Sequence, residues 1–522
     1  MGKIFQKLTT FWPHLLLILV AFFLFSYRLD KVPVHLNQDE MEFSLNAYSI
    51  AKTLRDQDGR FMPFYFWHLG DFWIKPVTIY LTAIFLKFLP LTENIIRLPS
   101  VFAGLISVSL IMILVQKLFR KTLYTLLAGV MAITTPMLFI HSRILLDHIF
   151  MVPFILLWLV FLKLYLDKRK ALFIFLSGFS LGIGFHTHYS AEIFMPLYVL
   201  ATLFLFRKDL GIKSSLVFIF GFILPLLPLI PWLLKYPDTL LRKVGYAGAI
   251  DPSIDVQKGI WGVFNPARLT SFLSSYLSYF NPKLLFISGD KSLIHSTQKH
   301  GAFLFPFAFL FVFGFLNIIL RKKDTLSKLL VFGFLTYPIA PALLNEPMRI
   351  VRGISVIPFV ILISFYGVSY LLETKEKLLK ALLVGILVFS FLEFLFFVRG
   401  YFTEYPKESY SWFNNDIGGA LESAIKSTRI RKIEDVYIDK NIYFIEKYVK
   451  FYSIKLSSDL SSRAKYFDPR SQDFSSFPAY SLVVLKAENV SGRAGKVGGF
   501  EKIETIREPN GYETFYIFYR DK

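Results

Sequence analysis

The chain has no cysteine among its 522 residues, which excludes a disulfide scaffold, a thiolate metal site and a catalytic thiol. Charge is scarce as well: 18% of residues are Asp, Glu, Lys or Arg, against about a quarter in ordinary soluble domains. Acidic residues are the rarer sign, 38 against 58 basic, for a formal net charge of +20. No internal repeat is visible. No small-residue cleavage site follows the first apolar run, where Ser26-Tyr27-Arg28-Leu29-Asp30 stands instead, so an uncleaved first helix is expected.

What is abundant is apolar surface, 54% of the sequence, gathered over the first 400 positions. The blocks run to about 17 to 22 residues, the length that crosses a roughly 30 Å hydrocarbon slab as a helix. The pattern predicts a polytopic α-helical membrane protein of about eleven transmembrane helices. They fall near 13–29, 95–116, 122–140, 149–166, 171–187, 190–206, 214–234, 303–320, 327–344, 353–371 and 381–399. Basic clusters at Lys117/Arg120/Lys121, Lys168/Arg169/Lys170, Arg207/Lys208/Lys213, Arg321/Lys322/Lys323 and Lys375/Lys377/Lys380 lie between alternate pairs of blocks. The positive-inside rule places these clusters and the N-terminus in the cytoplasm of a cell or plasma membrane protein. The positive charge is thus read as topology, and no nucleic-acid partner is expected.

That register puts 30–94 outside as a first outer loop, 235–302 outside as a large loop, and 401–522 outside as a small α/β domain after the membrane domain 1–400. Pro76 to Leu89 is apolar but too short to span, and reads as an interfacial helix. In the C-terminal domain, strands are expected at 435–439 and 481–485, with a hairpin over 500–519 around Glu508-Pro509-Asn510-Gly511.

Polar groups at the mouths of membrane helices are costly unless they are paired or do chemistry. Asn37-Gln38-Asp39-Glu40 stands before a helical stretch from Met41 to Leu54. Two adjacent carboxylates point in different directions there and have separate jobs. Position alone equally fits an N-cap at Asp39 with Glu40 in the first turn. His141-Ser142-Arg143 with Asp147-His148, then His186-Thr187-His188-Tyr189, then Glu346 with Arg349 and Arg352, are assigned to the same outer side. Topology does not explain Lys75, Arg97, Arg143, Arg349 and Arg352, whereas anion binding does. Arg97 alone also fits snorkelling at a helix start. The histidines suit buried hydrogen bonding better than a metal, and the spacing of His186 and His188 sends them to different sides of a helix, against zinc. A divalent cation beside Asp39 is compatible with the carboxylate pair, but no third ligand is apparent and the chemistry does not require it.

A carboxylate opposite several cations at a membrane surface suits sugar transfer from a polyprenyl phosphate. A phosphate whose second pKa is about 6 leaves without being protonated, so one base suffices and the cations carry the charge that grows on the leaving group.

Asn37-Gln38-Asp39-Glu40, Asp58-Gly59-Arg60-Phe61-Met62-Pro63, Lys75-Pro76 and Arg97-Leu98-Pro99-Ser100 together resemble the first outer loop of the C-type membrane glycosyltransferases. Within them the chain is similar to the dolichyl-phosphate-mannose protein mannosyltransferase and aminoarabinose transferase branch. Ser142-Arg143 with Asp147 resembles that branch's second outer motif. Phe286-Ile287-Ser288-Gly289-Asp290 with His295 and His300-Gly301 resembles its large loop, and Arg352 ahead of Pro358 its late helix start. The ordered set covers roughly 13–400. Pro76-Val77 departs from the family's double proline, and the C-terminal domain matches no motif.

The resemblance implies an inverting transfer from a polyprenyl-monophosphate sugar to a hydroxyl on a protein, glycolipid or glycan. Asp39 becomes the general base, with Glu40 orienting or tuning it. Lys75, Arg143, Arg352 and Arg349 become candidates for the donor phosphate. Asp147, His141, His188, Tyr189, Asp290 and His295 become pocket residues. Other classes are a lipid-linked-sugar flippase or transporter, and a polysaccharide ligase. Transporters usually carry ionisable groups at the bilayer midplane within repeats, whereas here the charges flank the helices.

Overall fold

The computed structural model describes residues 2–239, 266–322, 324–344, 346–471, 476–490, 496–497 and 499–521. Residues 240–265 of the expected large loop and Lys323 of the fourth basic cluster lie outside them. Among the described residues, six helices are long and apolar enough to cross a membrane: Glu93–Phe119, Asp147–Lys168, Arg207–Leu226, Thr325–Leu343, Val356–Glu373 and Lys377–Thr403. Trp12–Ser26, Pro76–Phe88, Thr122–Ile133, Ala171–Gly184, Ala191–Leu205 and Phe307–Leu320 are apolar but shorter.

The expected block 122–140 is not one helix. It stops at Ile133 and restarts as Pro136–His141, because Pro136 has no N–H to continue the ladder but suits a first turn. The block 214–234 is likewise divided. Arg207–Ile223, bent at Gly211 with φ 64°, is followed by the tight turn Leu224–Leu226 and the short helix Leu229–Lys235, with Pro225 and Pro228 at the breaks. The segment expected at the interface forms the helix Pro76–Phe88.

The chain divides into two compact units. The first holds Met1–Tyr27, Arg60–Leu81 and Arg97–Val398. Its helices Phe307–Leu320 and Val356–Glu373 approach until their backbones touch: a Cβ on Gly314 would strike the Ile363 carbonyl, and one on Gly367 the Leu310 carbonyl. Small residues at such a crossing are what membrane helices use in place of hydrophobic drive. An aromatic cluster of Tyr65, Trp73, Trp232 and Tyr236 packs beside the short antiparallel pair Phe66–His68 and Phe72–Ile74, just ahead of Lys75.

The second unit holds Arg28–Gly59, Thr82–Ile96 and Arg399–Lys522. Its described strands form one sheet in the order Ala464–Phe467, Asp435–Asp439, Ser481–Lys486, Glu513–Arg520, Phe500–Arg507, Lys496–Val497. The first three run parallel and the last four pair antiparallel. Strand 481–486 is buried on both faces over Ser481–Leu485, as a central strand of apolar residues should be. Helices Ile417–Ile430 and Ile445–Lys455 join it, and the hairpin turns at Glu508–Gly511 as its sequence predicts.

Candidate active site

In the second unit the helix carrying the acidic pair spans Gln38–Thr53. Its N-cap is Asn37, not Asp39: the Asn37 Oδ1 accepts the Asp39 amide at 2.8 Å, and Glu40 Oε2 accepts the Asn37 amide at 3.1 Å. This reciprocal capping box corrects the sequence alternative, since an asparagine two residues earlier does the capping as well as an aspartate. It also divides the carboxylates. Glu40 is fully buried and held by the cap, whereas Asp39 is half-buried in the first turn, where the helix dipole favours a negative charge.

Sequence reasoning passes over Glu42, two residues on. Its side chain is buried and accepts from Asn46 Nδ2 at 3.1 Å, Gln57 Nε2 at 3.0 Å and Lys447 Nζ at 3.3 Å. Further ties run from the C-terminal segment to the same stretch. The Tyr448 hydroxyl donates to the Leu36 carbonyl at 2.9 Å, Asn414 to Gln38 at 3.1 Å, and His35 meets Glu508 at 2.6 Å. Residues 414–508 therefore fix the chain immediately around Asp39.

In the first unit Lys75 is fully buried in an aromatic and acidic niche. Its ammonium donates to Glu192 and, at 3.0 Å, to the Tyr65 hydroxyl, with the rings of Tyr65, Phe185 and Tyr189 at 4.7, 5.1 and 5.4 Å. Burial works against the charge, but Glu192 and Tyr65 outweigh it and hold the lysine above its ordinary pKa. The same burial pushes the Tyr65 and Tyr189 phenols up. Glu192 escaped notice in the sequence because an acidic residue in a first turn needs no further explanation.

Arg143 is fully buried and donates to the carbonyls of Leu24, Phe25 and Tyr27 at 2.9, 3.0 and 2.6 Å. Leu24 and Phe25 lie in the last turn of the first helix and Tyr27 directly follows it, a place where a cation satisfies the open carbonyls well. In this arrangement Nη1 and Nη2 of Arg143 serve the end of the first helix. Arg97 does not snorkel, being only 1% exposed. Arg352 is gripped in bidentate fashion by Glu346, with Nη2 to Oε1 at 2.9 Å. Arg349 lies at the start of the same turn, close enough to act electrostatically on Asp290 and His295.

Asp290 is buried and accepts the amides of Ser292 at 2.8 Å and Ile350 at 2.6 Å. It braces one loop against another. Burial raises its pKa, only partly offset by those amides. Asp147 Oδ1 lies 3.9 Å from both His148 Nδ1 and His188 Nε2. His188 Nδ1 accepts the Ser190 amide at 3.1 Å, and His186 donates to the Pro225 carbonyl at 3.0 Å, a structural role. The His141 Nδ1–H donates to the Met137 carbonyl at 2.7 Å, and its Nε2 meets His295 Nδ1 at 3.2 Å. Burial draws the His141 pKa down to about 4 and holds His295 well below the usual histidine range. The structure thus gathers Asp147, His141, His148, His188 and His295, with Arg349 and Arg352 near, and sets Lys75 with Glu192 and Tyr189 beside them, the Tyr189 phenol acted on by both Glu192 and Asp147. A cavity of about 500 Å³ lies among Leu118, Lys163, Arg169, Asp209 and Lys322 near the other end of helix Met151–Lys168, away from these groups.

The sequence profile of the family described as dolichyl-phosphate-mannose-protein mannosyltransferase matches residues 75–234. No curated protein matches the chain by sequence. Among solved structures, the chain is similar to ArnT from Cupriavidus metallidurans bound to undecaprenyl phosphate, at 12% identity and a TM-score of 0.60 over 98% of each chain. The apo form of that protein matches at 12% identity and 0.58, over 99% of this chain and 98% of that one. The oligosaccharyltransferase of Archaeoglobus fulgidus tethered with an acceptor peptide matches at 12% and 0.50, over 91% of this chain and 69% of that one. The chain therefore has the fold of the C-type membrane glycosyltransferase superfamily, an ArnT-like helical membrane domain with a small C-terminal sheet domain, and carries over 75–234 the sequence pattern of its protein-mannosyltransferase branch.

Proposed function

We propose that this protein is an inverting glycosyltransferase that moves a sugar from a polyprenyl-monophosphate donor to a hydroxyl acceptor at the outer face of a membrane. The reading rests above all on the fold shared along 98% of both chains with a protein solved with undecaprenyl phosphate. The family profile, which begins at Lys75, supports it.

Asp39 is the general base. It takes the proton of the acceptor hydroxyl as that oxygen attacks the anomeric carbon, and the bond to the phosphate oxygen breaks with its electrons staying on the polyprenyl phosphate. Lys75 and the pair Arg349 and Arg352 are the cations for that phosphate; Arg143 is left to its helix end. For either ion pair to engage the donor, Glu192 or Glu346 must give up part of its hold, so the carboxylates act as placeholders for the phosphate. Asp147, His188, Tyr189 and Asp290 line or brace the sugar and acceptor pocket. The acceptor is an alcohol on a protein, glycolipid or glycan, and the C-terminal domain holds the segment that bears the base.

The test is transfer of label from a polyprenyl-phosphate sugar in reconstituted membranes. Asp39→Asn is expected to fold and insert normally while losing at least about a hundredfold in rate, the scale of a lost general base. Wild-type turnover in that variant removes Asp39 from the mechanism. Arg352→Ala is expected to raise the KM for donor more than for acceptor.

A further inference from the structure

Among the described residues, His141, His148 and His295 form the one group of three potential metal ligands whose donor atoms all lie within 4.8 Å of one another. They come from three separate stretches: the end of helix Pro136–His141, the turn Asp147–Phe150 and the loop after Asp290. The rings face one another closely, with centroids at 4.7 Å for His141 and His148, 5.3 Å for His141 and His295, and 5.5 Å for His148 and His295.

Two features go beyond proximity. The His148 ring is 2% exposed, yet its Nε2 has no hydrogen-bond partner. A buried imidazole nitrogen left in this way is costly, and a folded protein keeps one where something else is to occupy it. The tautomer of His141 is also set. A carbonyl can only accept, so His141 Nδ1 carries the proton donated to Met137, and its Nε2 presents a lone pair toward the other two rings. A backbone carbonyl behind a ligand imidazole is the usual arrangement that orients it for a metal.

We propose that His141, His148 and His295 bind a divalent transition-metal ion of the zinc type. Three imidazole nitrogens suit zinc and its neighbours, whereas calcium and magnesium take oxygen. With metal–nitrogen bonds of about 2.0–2.1 Å, tetrahedral ligands stand about 3.3 Å apart. The separation of His141 Nε2 and His295 Nδ1, 3.2 Å, already has that value. On binding, the ion replaces the hydrogen bond between these two atoms, and the proton of His295 moves to its Nε2. Asp147, 3.9 Å from His148 Nδ1, is placed to accept from that ligand's outer nitrogen after a small side-chain rotation. Arg349 and Arg352 are felt at His295, but Arg352 is neutralised by Glu346, and Asp147 adds a negative charge next to the rings. Three protein ligands leave a fourth position for water or a substrate oxygen. None of its three ligands is Asp39 or Glu40.

The test uses the full-length protein in detergent, purified through a tag free of histidine, stripped with a chelator and titrated with Co²⁺ and then Zn²⁺. The wild type is expected to retain about one metal per chain by elemental analysis, with visible Co²⁺ bands of tetrahedral type that Zn²⁺ abolishes. His148→Phe and His295→Gln are each expected to weaken retention by about tenfold or more, with unchanged size-exclusion behaviour. His295 lies in a loop, so its variant carries the test if His148→Phe fails to fold. A wild-type chain that retains neither ion, or a folded variant that binds as tightly as the wild type, overturns the proposal.

Discussion

Lys75 and Glu192, 117 positions apart in sequence, meet as an ion pair in which the ammonium has no exposure and the carboxylate keeps 20% of its own. A lone buried ammonium would discharge, so the pair is what keeps a cation available in an apolar niche at neutral pH.

The pH dependence of donor use follows from that pair. The folded pKa of Lys75 lies above the ordinary lysine value of 10.5, so the ion-pair stabilisation is full below that value and is lost only as pH rises through the higher folded one. The donor KM is therefore expected to be flat between about pH 7 and 9 in the wild type. In Glu192→Gln the largest force opposing burial is gone, and an alkaline rise in donor KM should enter this window. A variant as flat as the wild type would show that Glu192 does not hold the charge.

Arg143 separates a structural from a chemical role. Arg143→Gln strands the carbonyls of Leu24, Phe25 and Tyr27, which is expected to cost about 2–4 kcal/mol of stability. The donor KM of the molecules that remain folded should not change. Thermal unfolding in detergent and donor titration measure the two effects; a raised KM at full stability would return Arg143 to the phosphate.

The two neighbouring carboxylates should respond differently to the loss of charge. Glu40→Gln keeps an acceptor for the Asn37 amide and should retain most of the activity, within about threefold. Glu40→Ala breaks the capping box, costing about 1 kcal/mol and loosening the turn that bears Asp39. If Glu40→Gln loses as much rate as Asp39→Asn, the two act as one unit.

Much of this was legible from residue patterns and some was not, for physical reasons. Helix-length apolar blocks and the 500–519 hairpin follow from burial and turn chemistry, which are local. Asn37 as N-cap was within reach too, since Asn37 and Glu40 have the spacing of a capping box. The helix-end bonds of Arg143 are invisible in the sequence because its three carbonyl partners lie 116 or more positions away. Glu192 and Glu42 were passed over for the same reason: what makes them notable is a partner distant in sequence, Lys75 for one and Lys447 for the other. The fused run 122–140 hid a helix break that Pro136 announced.

Asp290 offers a last test in which two effects oppose each other. Its carboxylate accepts two backbone amides, one on each oxygen, and so ties the 288–301 loop to Ile350. Burial nonetheless raises its pKa from 3.8, which means the folded state holds the proton more firmly than the unfolded one. Stability from this group is then full below the unfolded value and declines as pH rises from about 3.8 through the folded value. Asparagine has one carbonyl oxygen and satisfies one of the two amides, losing about 1 kcal/mol but carrying no charge to bury. Alanine satisfies neither and should cost about 2–3 kcal/mol throughout. Melting curves in detergent from pH 4 to 7 should show the advantage of the wild type over Asp290→Asn shrinking as pH rises, while its advantage over Asp290→Ala persists. An advantage over asparagine that widens with pH would mean that the two amides outweigh desolvation, and that Asp290 is held as a preferred anion.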